Sequence, residues 1–137
     1  MIALTPSAEL ARWRWFFLVS AVYDMALGIA FFFLYRPIFE AIGMPAPSHE
    51  SYVHLSAVFV LVQGLGYLFL YADPLGNLGL AKVGAIYKAS YTLLAVYYLV
   101  RGDIPSMFFA WFGLFDFLFF IGFMWFLRRA AQGAIRS

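Results

Sequence analysis

The chain has no cysteine, only two histidines, and charged side chains at only 12% of its 137 positions. The lack of cysteine excludes disulfides, thiolate chemistry and zinc sites of the Cys type. A soluble domain carries about a quarter charged residues, so this scarcity, set beside 65% hydrophobic residues, excludes a water-soluble single domain. Disorder needs low hydrophobicity and high charge, and is excluded for the opposite reason. Long polar stretches are also missing. A membrane-crossing helix takes about 20 residues, so four of them leave only short connections and no second domain. The net charge of +2 points to no nucleic-acid partner.

What is present is apolar and aromatic: aromatic residues make up 22% of the chain and its mean hydropathy is +0.86. Turn chemistry divides it into four apolar segments, with helices expected over about 13–35, 52–71, 78–100 and 105–127. Arg36-Pro37 closes the first, because proline disfavours helix at the residue before it. Asp73-Pro74 closes the second and Arg101-Gly102-Asp103 the third. Pro105 suits the first position of the fourth. Barrel strands would alternate apolar and polar residues over about 10 positions, whereas these segments are apolar on every side. The expected fold is all-α: a polytopic membrane protein whose residues 1–137 form a single four-helix transmembrane bundle. The first segment is too long for the h-region of a cleaved signal, and Trp13 separates Arg12 from Arg14, so no twin-arginine pair exists. No internal repeat is evident, since Asp24 and Asp116 fall on non-equivalent helices.

Arg12, Arg14, Lys82, Arg128, Arg129 and Arg136 fall on the side that holds both ends, against Arg36 and Arg101 on the other. The positive-inside rule then places both termini in the cytoplasm of a multi-pass cell-membrane protein. Trp13, Trp15 and Trp125 belong to the same face, as an aromatic belt requires. Glu9, just after Thr5-Pro6, suits a helix N-terminus. The longest loop, from about Arg36 to Ser51, faces outward, and Pro37, Pro45 and Pro47 are expected to hold it irregular after Gly43 as a cap over the bundle mouth.

Each segment carries one polar or ionisable side chain near its centre: Asp24, Gln63, Lys88 and Asp116. A charge at the bilayer centre costs about 2.5–3.5 kcal/mol on insertion scales, so these residues are expected to face inward and pair. Helical spacing provides the rows. They are Trp13, Phe17, Ser20, Asp24, Gly28 and Phe31; then Tyr52, Ser56, Phe59, Gln63 and Tyr67; then Ala81, Ala85, Lys88, Thr92 and Ala95; then Phe109, Phe112, Asp116, Phe120 and Phe123. Small residues beside Lys88 permit close approach. Such a cluster can simply lock a bundle. It can also be a proton or ligand site, and one lysine cannot neutralise two carboxylates. Tyr67 and Tyr91 complete the candidate set.

Other chemistry fits less well. His49, Glu50 and His54 are the only candidate metal ligands, but His49 and His54 do not share a helical face, so no metal site is assigned. Glu50 and His54, four apart, suit a surface pair. A Schiff base on Lys88 would need a thicker cage than four short helices supply. With no mid-membrane histidine, bis-histidine haem is disfavoured. No cofactor is named by any motif.

Tyr23-Asp24 through Gly28, Leu55–Tyr67 with Gln63-Gly64, the run Tyr87-Lys88-Ala89-Ser90-Tyr91, and Phe115-Asp116-Phe117 together resemble a group of uncharacterised bacterial four-helix membrane proteins, loosely similar to the DoxX-like membrane proteins. The resemblance implies a compact four-helix bundle. DoxX-type proteins include proposed subunits of membrane oxidoreductases, but the missing cysteines speak against a thiol-based redox role here. Three functional expectations stand. The first is a binding or transport module that takes a proton or a small hydrophobic or amphipathic ligand at the Asp–Lys–Asp cluster. The second is an accessory subunit packed on a membrane-protein partner or a second copy of itself. The third is an intramembrane isomerase-like enzyme using Asp24 or Asp116 as general acid or base. A tunnel reaching the cluster would favour the first or third, and a dry centre the second.

Overall fold

The structure, a computed structural model, describes residues 6–135. Among these it is all-helical: α1 (Pro6–Phe33), α2 (Tyr35–Ala41), α3 (Glu50–Ala72), α4 (Leu78–Arg101) and α5 (Met107–Ala131). The helices α1, α3, α4 and α5 are each long and apolar enough to cross a membrane. At about 1.5 Å per residue each exceeds the roughly 30 Å of hydrocarbon. The protein is a polytopic membrane protein built as a helical bundle, and four crossings return the two ends to one side. Thr5 and Arg136 lie outside the described residues.

The helix boundaries differ from the sequence expectation in instructive ways. The first helix starts at Pro6 rather than Trp13, and Arg36-Pro37 does not end it. The bend falls earlier, at Leu34 (φ −120°, ψ 18°), and both Arg36 and Pro37 are helical within α2. A proline ring clashes with the carbonyl four residues back, here Phe33, while its missing N–H costs nothing in a first turn. Leu34 N still donates to Ala30 O (2.7 Å) and Ile38 N to Leu34 O (3.1 Å), so the chain turns a corner instead of stopping. After Gly43, in the left-handed region at φ 70°, residues 44–49 carry no helix and Pro45 and Pro47 lie in irregular chain. Pro105 is not the first residue of α5 either. Ser106 is the N-cap, its Oγ accepting from Phe108 N at 3.2 Å, and Pro105 precedes it. A hydroxyl that satisfies an orphan N–H takes the cap in preference to a residue that only lacks one.

The packing is closest within two pairs, α1 with α3 and α4 with α5. Glycine explains the first seam. A Cβ on Gly28 would sit 2.8 Å from Ala57 O, and one on Gly64 would sit 2.9 Å from Met25 N, so the two backbones touch where no side chain intervenes. This is how membrane helices associate when lipid is as apolar as their own side chains. On the fourth helix of the bundle Gly113 plays the same part against Ala95.

The two pairs meet tightly only in the half that holds the termini. There Phe17, Tyr67, Leu70, Ala81, Ala85, Phe123 and Phe126 form a buried core. Phe17 meets Phe126 edge-on at 4.8 Å, and Tyr67 meets Phe123 at 5.0 Å. At this end Arg129 clamps Glu9 through two 2.8 Å bonds, and Arg14 Nε donates to Tyr71 O at 2.8 Å. Trp15 and Trp125 are exposed there.

At the opposite end α2 folds over the bundle with Tyr35 and Phe39 buried. Glu50 does not pair with His54 as its spacing suggested. It accepts hydrogen bonds from the Tyr35 hydroxyl and from Arg36 Nη2 (3.1 Å), because the corner at Leu34 carries both across to the start of α3. His54 stacks on Phe32 at 4.5 Å instead. The hydrogen bond to Glu50 holds the Tyr35 phenol above its ordinary pKa. The same contacts hold the Glu50 carboxyl below its ordinary pKa. The latch is therefore intact between the carboxylate and tyrosine ranges, and is lost as pH rises through the raised phenol value or falls through the lowered carboxyl value. Exposed ion pairs contribute about 0–1 kcal/mol, so Glu50→Gln is expected to leave global unfolding unchanged while amide exchange across residues 35–44 accelerates. Unchanged exchange there would show that Phe39 burial alone seats α2.

Candidate functional site

Asp24 lies nine residues before the end of α1, Asp116 nine after the start of α5, and Lys88 thirteen before the end of α4. All three thus sit roughly 14–20 Å below the α2 end of the bundle. They converge. Lys88 Nζ donates to Asp24 Oδ1 at 2.6 Å and to Asp116 Oδ1 at 3.0 Å. The lysine and Asp24 side chains are each 1% exposed. The ammonium also lies over the rings of Tyr23 (5.1 Å), Phe119 (5.1 Å), Tyr87 (5.4 Å) and Tyr67 (5.7 Å). Such faces attract a cation electrostatically, most strongly where water is absent.

The local sequence explains how a lysine reaches this position. Ala81, Gly84 and Ala85 line the buried stripe of α4 below it, leaving room for neighbouring helices and for its stem. One turn above, Thr92 Oγ1 lies within hydrogen-bond range of Lys88 O (2.9 Å) and Gly113 O (3.2 Å), tying α4 to α5 beside the cluster. On α1, Phe17, Ser20, Asp24 and Gly28 are buried along the expected row.

The row assigned to the second span needs correction. Tyr67 is buried as the row requires, but Phe59 is exposed, Tyr52 and Ser56 are exposed at the edge of the space between the helix pairs, and Ala57, Gly64 and Leu70 are buried instead. The helix is rotated by about one residue because Ala57 and Gly64 must face α1. Gln63 is consequently only half-buried and makes no hydrogen bond to either carboxylate; it borders the Tyr67 phenol. Tyr91 is half-buried, and its hydroxyl is directed at Phe109 O at 3.4 Å rather than at the triad. Tyr67 is fully buried below Lys88. Tyr23, Tyr87 and Phe119 belong to the cluster and were not anticipated. The available signal was a tyrosine directly preceding an intramembrane charge, in Tyr23-Asp24 and Tyr87-Lys88. No group of three His, Asp or Glu side chains able to hold a metal occurs among the described residues.

Above the triad, between the two helix pairs, lies a cavity of about 340 Å³. Tyr23, Leu27 and Phe31 of α1, Phe39 of α2, Tyr52, Val53, Ser56, Ala57 and Val60 of α3, Tyr87 and Tyr91 of α4, and Phe109 and Phe112 of α5 line its largely apolar walls, and Asp24 and Asp116 form its floor. Its size falls within the roughly 300–1,000 Å³ of small-molecule pockets. Two lining residues carry a buried side-chain atom with no hydrogen-bond partner, Asp24 Oδ2 and Tyr23 OH, and a third such atom, Tyr67 OH, lies below the triad and outside the lining. Buried polar atoms are nearly always paired, so such a group at a cavity is a point where a bound molecule or water completes the bonding. Chemically, the arrangement offers an apolar chamber with polar groups gathered at one end.

Compared with known protein families, characterised proteins and solved structures, the chain matches none.

Proposed function

We propose that this protein is an integral membrane binding module that takes a small hydrophobic or amphipathic ligand into the chamber above the Asp24–Lys88–Asp116 triad. The observation that carries this reading is the chamber itself, apolar along its walls and polar at its floor, with Asp24 Oδ2 unpartnered there. A bundle in which the cluster served only as a lock would close around it on both sides, as the core closes on the terminal side. The resemblance to DoxX-like membrane proteins is retained as a proposal of kinship in architecture.

Val60 lines the chamber from α3, whereas the ion pairs join α1, α4 and α5, so Val60→Trp should fill the space and leave the ion pairs intact. In neutral sugar-detergent micelles, radiolabelled dodecanol is expected to show a saturable, one-to-one component above micelle partitioning. Val60→Trp is expected to abolish that component while preserving the folded state. Absence of saturation in the unaltered protein, or saturation that survives Val60→Trp, overturns the reading.

We further propose that the protein resides in the cell membrane with both termini cytoplasmic. Arg12, Arg14, Lys82, Arg128 and Arg129 flank the terminal face, against Arg36 and Arg101 at the α2 end. The excess of Lys and Arg sets orientation. Reporter fusions at both ends should be active only in the cytoplasm, and a periplasmic or extracellular signal from either end counts against this orientation.

A further inference from the structure

We infer that the chamber selects a monocationic amphiphile, whose ammonium head rests against Asp24 and Asp116 and whose apolar tail extends toward Phe39. The inference rests on the binding reading above and adds the chemical class of the ligand.

The first support is the direction in which the triad presents its charges. Asp24 and Asp116 both line the chamber, and Lys88 does not. The ammonium is held among four rings, those of Tyr67 and Phe119 outside the chamber lining and those of Tyr23 and Tyr87 within it, so only the carboxylates of the triad border the space. A molecule in the chamber therefore meets the negative side of the cluster. The second support is charge balance. One ammonium against two carboxylates leaves one negative charge, which either a proton or a ligand cation must neutralise in a medium where an unpaired charge is expensive. A ligand cation supplies that neutralisation and gives Asp24 Oδ2 the partner it lacks.

The walls exclude other classes. No lysine, arginine or histidine lines the chamber, so an anionic head would face two carboxylates with only neutral hydroxyls and no positive charge to receive it. A neutral alcohol can donate a hydrogen bond but leaves the charge in place. A zwitterionic head would carry its phosphate in beside its ammonium and lose most of the gain. The faces of Tyr91, Phe109 and Phe112 suit both a cation and an alkyl chain. A route in exists as well. The helices α3 and α4 meet near their connecting turn, where Gly84 faces Tyr67, and the chamber separates their halves toward α2. Tyr52 and Ser56 on that flank are exposed, so an amphiphile can enter sideways from the lipid with its tail still in apolar surroundings.

The test uses the full chain in neutral sugar-detergent micelles and four probes of equal chain length: dodecylammonium, dodecanol, dodecanoate and dodecylphosphocholine. Each competes against radiolabelled dodecanol. A desolvated charge-assisted contact is worth about tenfold or more in affinity. Dodecylammonium is therefore expected to outcompete dodecanol by at least about that factor, with dodecylphosphocholine and dodecanoate weaker than the ammonium probe. Asp24→Asn keeps an oxygen for Lys88 but removes the surplus charge, and it should bring the ratio of ammonium to dodecanol affinity down to about one. Asp116→Asn provides the same comparison by the other route. Equal binding of ammonium and alcohol, preference for dodecanoate, equal binding of dodecylphosphocholine, or a preference that survives both substitutions would overturn the inference. If dodecanol saturates and Val60→Trp blocks it but no ammonium preference is seen, the inference falls while the binding module stands. If no probe saturates, both fall.

Discussion

Lys88→Met is expected to be among the most damaging single substitutions in this protein, lowering stability in detergent by about 3–5 kcal/mol. Methionine matches the lysine stem in length and preserves its packing among Tyr23, Tyr67, Tyr87 and Phe119. The loss must then come from charge. Asp24 and Asp116, each bonded to Nζ through one oxygen, would be left facing each other without a counter-ion. Removing the rest of the cluster should relieve this. The triple variant Asp24→Asn, Lys88→Met, Asp116→Asn strands no charge, and well-packed neutral replacements of buried ion pairs are often tolerated. Thermal unfolding in detergent should therefore rank the triple variant above Lys88→Met alone. If Lys88→Met unfolds like the unaltered protein while the triple variant collapses, the three residues do not form one coupled unit.

The ranking matters for reading the site. A cluster that only locks the bundle predicts that the triple variant loses nothing but stability. A binding floor predicts that it folds and loses the ammonium preference described above. The same variant thus separates cohesion from recognition, which the geometry of Lys88 combines.

The cluster was legible in the sequence for a simple reason. Hydrocarbon offers no water to an isolated charge, so three ionisable residues at a common depth have almost nowhere to go but toward each other. The spans were legible for a similar reason, since length and apolarity alone mark a helix that must satisfy its own backbone in lipid. The rotation of α3 was not. Its surface is apolar on nearly all sides, and the polar positions Ser56 and Gln63 suggested the wrong stripe. What orients the helix is backbone contact at Gly28 and Gly64, and the absence of a side chain leaves little trace in a hydropathy pattern. The short helix α2 was hidden by Pro37, which reads as a terminator but here only turns the corner at Leu34. The chamber had no sequence signature, because it is a gap between two helix pairs. They pack closely at the terminal end and meet more loosely, through Phe31 against Phe108 and Phe112, toward α2. Gln63 illustrates the limit: depth along the span was right, and azimuth was not.

The polarity of the bundle, packed toward the termini and hollow toward α2, yields the second large effect. Phe126→Ala should cost about 2–4 kcal/mol, somewhat below the 3–5 typical of a water-soluble core. The difference arises because lipid is as favourable as the interior for an apolar group, so only the packing share is lost. That share is substantial. Phe126 is fully buried, meets Phe17 at 4.8 Å and Trp13 at 5.4 Å, and stands where α1 and α5 close on each other. Phe112 is the matched control on the same helix. It is half-buried, touches Phe108 at 4.5 Å, and lines the chamber. Phe112→Ala enlarges a space that already exists, so its neighbours lose few contacts and the cost should stay below about 1 kcal/mol. Its effect should instead fall on the ligand, as weaker retention of the dodecyl chain. Unfolding of the two variants in the same detergent decides the matter. Equal losses would mean that the half toward α2 is as tightly packed as the half toward the termini, and the chamber would then be no receptacle.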